Sequence, residues 1–290
     1  MAILQLVLNA VVLGAAYALV ALGFVLVLNA VGAVNFAQGD LVLVGAYAAI
    51  MAASLINIPG ILLLPVVVVV AGLIGLILSG AAFFPLRNRP PVTVFISTIA
   101  CGVVIQNTLN VAFGPEPRAG PALLGTSQLD ILGLQVSSQS LAIVTVAALL
   151  VIGQHWLLNS TQFGRKLRAT AQDREIARGI GIPVTWMIAA SFALSAALSG
   201  AGGLLLANQF FVSPNEGGHL MLKAYIAVTI GGWGSTMGAV IGALIVALFE
   251  VLVSSYVSYT AASVALYACV LVLLVVRPSG LFQEAVQRRA

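Results

Sequence analysis

Of the 290 residues, 61% are apolar and 7% charged, against about 25% charged in an ordinary soluble domain, so the chain has too few charges to coat a water-facing globule. The 12 basic and 8 acidic residues give a net charge of +4, but the cations lie in short loops between apolar runs, which sets nucleic acid aside as a partner. Two cysteines and two histidines, none in ligand company, leave no disulfide framework and no metal pattern.

Residues 1–39, 41–86, 90–115, 131–164, 179–215, 224–249 and 251–276 carry no charged side chain. A helix of about 20 apolar residues crosses a bilayer, so every run holds one span and the longest hold two. The first span is expected over 4–28. The N-terminus lacks the basic region of a cleaved signal peptide and its apolar stretch is too long for one; with no cation to retain it, it is expected to start outside.

AVNFAQGDL then interrupts the apolar run with Asn35, Gln38, Gly39 and Asp40 around Phe36. Asp40 has two readings, as cap of a helix beginning at Leu41 or as a contact for substrate or gate, and Asn35 and Gln38 divide in the same way. Spans over 41–57 and 61–84 lead to Arg87 and Arg89, whose charge marks a cytoplasmic loop. The fourth span, 92–113, carries Gln106, Asn107 and Asn110 near its outer end, where they would line an entrance or bridge helices. The Pro/Gly-rich stretch 114–138 is the expected outer loop, and 139–158 returns.

A span over 184–210 leads out to SPNEGGH. Residues 220–232 are short for a crossing, 237–256 are full length and 260–276 adequate. The tail, with Arg277, Arg288 and Arg289, is then cytoplasmic. The expected fold is an all-α polytopic membrane bundle, one domain over 1–290, with eight full spans and one short or broken one.

Gly231, Gly232, Gly234 and Ser235 make a second interruption. Irregular backbone at membrane depth survives only when buried in protein or facing a wet cavity, and one break in each half suits a transport site built from discontinuous helices. Ser191, Ser195, Ser199 and Gly203, and likewise Gly234, Gly238 and Gly242, recur every four residues, as small residues do where helices approach closely. Glu250, with 26 uncharged residues on either side, costs about 2.5–3.5 kcal/mol to insert; it is expected to pair, with Lys223 as partner, or to line the pathway. His155 and His219 read as interfacial.

Residues 164–183, GRKLRATAQDREIARGIGIP, hold seven of the charged residues. As one helix over 164–179 they place Arg165 with Arg168 and Arg174 with Arg178 at helical spacing, with Glu175 in reach of Arg178. Gly179 and Gly181 end it, and Pro183 fixes the turn. The segment reads either as a solvated loop helix whose cations mark the cytoplasmic side or, since a topology signal needs only a couple of cations, as a helix whose compact centre and charged flanks suit a groove on a partner.

TQFGRKLRATAQDREIARGIGIP resembles the cytoplasmic coupling segment of permease subunits of ATP-binding-cassette importers, and more narrowly the branched-chain amino acid permeases. VNFAQGDLVLVGAY, STIACGVVIQNTLNVAFGP, KAYIAVTIGGWGSTMGAVIGALIVALFEVL and RPSGLF agree in order along nearly the whole chain, whose length is that of the shorter, H-type subunit. The resemblance implies a type II importer-like bundle in a bacterial inner membrane, paired with a second permease as a heterodimer, seated on two ATPase subunits and fed an amino acid by an external binding protein. It assigns coupling to the segment at about 160–183 through Gly164, Arg165, Arg168, Ala169, Ala171, Asp173, Arg174, Ala177, Gly179, Ile182 and Pro183. Asn35, Phe36, Gln38, Gly39, Asp40, Gln106, Asn107, Gly232, Gly234, Ser235 and Glu250 are candidates for the pathway or gate.

Two positions depart from the family: Gln38-Gly39-Asp40 stands where His-Gly-Glu is frequent, and Gln283 where glycine is common. No cofactor is implied and no Walker A loop is present, since Lys166 and Lys223 follow Arg165 and Leu222 rather than glycine; the ATPase activity belongs to partners. Urea, short amides and other amino acids remain alternative cargoes. A self-sufficient channel or secondary transporter would be favoured if Asp40, Lys223 and Glu250 formed an ion-coupling set, but it leaves the charged segment without a role.

Overall fold

The structure is a computed structural model that describes residues 2–56, 58–124, 127–131 and 134–276; Arg277, Arg288, Arg289, Gln283 and RPSGLF lie outside the described residues. Eight described helices are long and apolar enough to cross a membrane, as the uncharged runs require. In chain order they are α1 (Ala2–Val31), α2 (Gln38–Leu55), α3 (Leu64–Leu78, extended by short turns to Gly60 and Leu86), α4 (Pro91–Phe113), α5 (Ser138–Ser160), α8 (Val184–Gln209), α10 (Thr236–Tyr256) and α11 (Tyr259–Val276). The short α9 (Gly217–Gly231) is the ninth apolar helix among the described residues, and α6 (Gln162–Gln172) and α7 (Arg174–Gly179) form the charged segment.

α1 and α8 are the axis of the bundle: 83% and 78% of their apolar windows are buried, against 17–28% for α3, α4, α5 and α11. Those four present their apolar flanks outward, to lipid or to a partner. Small residues bring the central helices together. Ser191, Ser195 and Ser199 are fully buried, and a Cβ at Gly203 would overlap the carbonyl oxygen of Val42. Gly242 stands in the same relation to Ala227, closing α9 against α10. Gly234 is not part of that face; it lies before α10 with φ +87, because the helix starts only at Thr236.

The bundle has two ends. One carries α6 and α7. The other carries the described parts of the 114–137 segment, which an Arg118–Val212 bridge joins to the chain leaving α8. Within the Pro/Gly-rich loop, β1 (Gln128–Ile131) and β2 (Leu134–Ser137) pair antiparallel.

Candidate functional site

The first break follows α1. Gly32 ends that helix in the left-handed region at φ +66, open to glycine at no steric cost, and the chain turns back into the bundle before α2 begins. The polar groups of the turn are satisfied there. Asn35 Oδ1 accepts from the Ala37 amide at 3.2 Å and its Nδ2 donates to Gln38 Oε1 at 3.3 Å. Gln38 Nε2 donates to Ser199 Oγ, and Ser195 Oγ lies 3.0 Å from Gln38 Oε1 and 2.7 Å from the Gly23 carbonyl oxygen. The Phe36 amide donates to Thr98 Oγ1 at 3.1 Å. At 1.5 Å per residue Ser195 lies roughly 17 Å along α8, near its middle, so α2 starts deep within the bundle.

Asp40 does not cap α2, contrary to the capping expectation. The helix begins at Gln38, its N-cap position is Ala37 with no side-chain cap, and Asp40 falls inside the first turn. Its Oδ1 instead accepts from Gln106 Nε2 at 2.7 Å. Gly39 packs against the backbone of Gly217 and Met221, so α9 also starts beside Asp40 and halfway along α4. This is why residues 220–232 are short for a crossing. Gln106, Asn107 and Asn110 do not form one cluster: Asn107 is exposed and bonds back to Val103 of its own helix, and Asn110 reaches Asn215 at 3.0 Å.

The second break repeats the device of the first. Gly232 ends α9 at φ +106, and Ser235 caps α10 by accepting from the Gly238 amide at 3.1 Å. Asn29 Nδ2, near the end of α1, donates to the Gly234 carbonyl oxygen at 2.9 Å, which ties the two breaks together. Glu250 pairs with Lys223 at 2.6 Å, the expected partner; the Tyr17 hydroxyl donates to its other oxygen at 3.1 Å and accepts from Lys223 Nζ at 2.9 Å. Asp40 takes no part in that network, so the three charges do not form one coupling set. His155 bonds to Asn159 and His219 lies 3.4 Å from the Tyr267 hydroxyl.

The charged segment is two helices rather than one. Asp173 breaks the run with extended backbone and caps α7, its Oδ1 accepting from the Glu175 and Ile176 amides at 2.8 and 2.9 Å. Glu175 and Arg178 form no ion pair; among the described residues that contact is confined to Lys223 and Glu250. Gly179 ends α7 and Gly181 turns at φ +82, followed by half-buried Ile182 and exposed Pro183.

The segment has an inner and an outer face. Gly164, Leu167, Thr170 and Ala177 are buried against the bundle. Arg168 donates to the Leu158 carbonyl oxygen and to Asn159 Oδ1. Arg174 reaches the Ala30 carbonyl oxygen at 3.4 Å and lies over the Phe83 ring; burial, and then the neighbouring Arg178, lower its pKa. Arg165, Lys166, Ala171 and Arg178 face outward, while Ala169 is half-buried. Ile176 and Ile180, 66% and 70% exposed, are not among the residues expected to couple; their signal is two isoleucines four residues apart, one on α7 and one just past its end.

The family model described as the branched-chain amino acid transport system permease component matches residues 6–275. LivH of Salmonella typhimurium, a high-affinity branched-chain amino acid transport system permease protein, is 31% identical over 96% of this chain and 94% of its own. BraD of Pseudomonas aeruginosa, of the same description, is 28% identical over 96% and 95%. A probable branched-chain amino acid transport permease of Methanocaldococcus jannaschii is 31% identical over 83% and 78%.

Proposed function

Since the chain belongs to the family of branched-chain amino acid transport system permease components, whose members are membrane subunits of ATP-driven importers, we propose that its own cargo is a branched-chain amino acid delivered by an external binding protein. It is a multi-pass permease subunit, and ATP hydrolysis falls to partners. In our reading it forms a heterodimer with a second permease on two ATPase subunits in a bacterial inner membrane. Arg87, Arg89, the α6–α7 segment and the C-terminus then face the cytoplasm.

The supporting observation is the way α6 and α7 are mounted. They join α5 and α8 through the chain, and Arg174 fastens them to the last turn of α1, immediately before the first break. Ile176 and Ile180 are exposed apolar side chains on a segment that also exposes Arg165, Lys166 and Arg178, a composition that suits a helix seated in a groove. Closure of the ATPases on ATP would push these helices and shift α1, α5 and α8 together. The breaks at Asn35–Asp40 and Gly232–Ser235 are where continuous helices give way to turns, and motion of the ends would be converted there into a change of access.

Reconstituting the four membrane-bound subunits in proteoliposomes with the binding protein is the test. ATP-dependent uptake of leucine, isoleucine or valine is expected, and its absence in an importer that still hydrolyses ATP would remove the cargo assignment.

A further inference from the structure

Asp40 is 4% exposed. Among the described residues no cation lies within salt-bridge distance of it, and its one hydrogen bond is the Gln106 amide on Oδ1. A buried carboxylate is ordinarily paired, because an unpaired one forfeits its hydration. This one is also packed with unusual economy: a Cβ on either Gly102 of α4 or Gly217 of α9 would overlap its oxygens. Two helices therefore approach at glycine to accommodate the acid, while Gln106 fixes its orientation.

The same carboxylate borders a cavity of about 510 Å³ between α2, α4 and α9, within the range of small-molecule sites. Phe36, Ile99, Val103, Met221 and Leu222 supply apolar walls, and besides Asp40 and Gln106 the polar side chains at the cavity are Asn215 and His219. One fixed anion beside a hydrocarbon wall is complementary to a small primary ammonium carrying a short apolar group.

We propose that Asp40, held by Gln106, is the transient anchor for the ammonium end of the cargo as it crosses the bundle, with the branched side chain against the Phe36–Leu222 wall. This rests on the transport reading above and adds to it which end of the molecule is held, and by which residue. The cargo's cation would supply the charge partner that the resting site lacks; a charge-assisted hydrogen bond of this kind is about twice as strong as a neutral one.

Asp40→Asn tests it, because the amide keeps an acceptor for Gln106 and nearly the same volume while removing the charge. The complete importer without its binding protein is titrated with radiolabelled leucine, and bound label is competed with 3-methylbutylamine, which lacks the carboxylate, or with 4-methylpentanoate, which lacks the amine. In the unaltered importer the amine is expected to displace leucine and the acid to displace it at least about tenfold more weakly; in Asp40→Asn leucine occupancy should fall about tenfold or more.

Unchanged leucine occupancy in Asp40→Asn overturns the proposal, as does an acid that competes as well as the amine in the unaltered importer. If Asp40→Asn fails to assemble, the amine-against-acid comparison on the unaltered importer decides alone. Uptake of leucine by that same preparation with its binding protein reports separately on the transport reading, so an importer that carries leucine yet treats amine and acid alike defeats only the anchor.

Discussion

Lys223 on α9 and Glu250 on α10 are 2.6 Å apart, and Tyr17 of α1 bonds to both. Three helices are thereby joined at one buried polar point in an apolar bundle. Removing one partner of such a pair strands the other charge, at a cost of about 3–5 kcal/mol, whereas replacing both with apolar residues is often neutral or better. Lys223→Met and Glu250→Leu should each lower the melting temperature of the purified chain sharply, and the double variant should recover most of the loss. A double variant no more stable than either single one would show that the charges are needed for more than pairing with each other.

The exposed isoleucines Ile176 of α7 and Ile180 just after it separate docking from folding. Ile176→Glu and Ile180→Glu touch no core, so insertion and melting temperature should stay near those of the parent, within the ±0.5 kcal/mol usual for surface changes. Co-purification of the ATPases should fall by about tenfold or more, since a few buried anchors carry most of an interface's energy. Full retention of the ATPases would place their seat elsewhere.

Arg165 and Arg174, alike in sequence, should separate in the same assays. Arg165→Glu alters an outward side chain and should weaken ATPase retention alone. Arg174→Glu also loses the contacts to Ala30 and Phe83, so it should lower the melting temperature as well. Equal behaviour of the two would deny the distinction between the outer and inner faces of the segment.

Much of this arrangement was legible because polarity is costly in such a chain. Eight spans, one short segment, and interruptions at Asn35–Asp40 and Gly231–Ser235 could each be read directly, and the Lys223–Glu250 pair was one of the two readings open for Glu250. What was not legible depended on partners distant in sequence. The start of α2 at Gln38 rather than Leu41 is set by Ser195 and Ser199, more than 150 residues away, and Asp40 is taken from its expected capping role by Gln106 of α4. The strands Gln128–Ile131 and Leu134–Ser137 are too short for alternation to stand out in a Pro/Gly-rich loop. The division of the charged segment was available locally: Asp173 before Glu175 and Ile176 is an ordinary helix cap, but the helical spacing of the arginines across it suggested continuity.

Asp173→Ala tests that division. Its carboxylate holds two amides at the start of α7, and loss of such a cap costs about 0.5–2 kcal/mol. A six-residue helix has no internal reserve against that loss, so α7 should fray locally while the bundle keeps its melting temperature. Amide hydrogen exchange at Ile176–Arg178 should accelerate. Binding-protein-stimulated ATP hydrolysis should then persist with reduced uptake per ATP, and Asp173→Ser should restore most of it. Slow exchange retained in the alanine variant would mean that packing at Ala177, not the cap, holds the helix.

Gly242 offers the sharpest test of how α9 is seated. A side chain there meets the backbone of Ala227, which cannot rotate away as a side chain could. Overpacking of an ordinary core costs about 1–3 kcal/mol, and a clash against backbone lies at or beyond the upper end of that range. Gly242→Val should therefore push α9 from α10, stretching both the Asn29–Gly234 and Lys223–Glu250 contacts. Lys223→Met/Glu250→Leu combined with Gly242→Val should then be less destabilised than the sum of its parts, because the ionic contact is lost in both backgrounds. Strict additivity in a thermal unfolding cycle would mean that the α9–α10 spacing and the ion pair are independent. Motion at the second break would then have no route through Lys223 to α1.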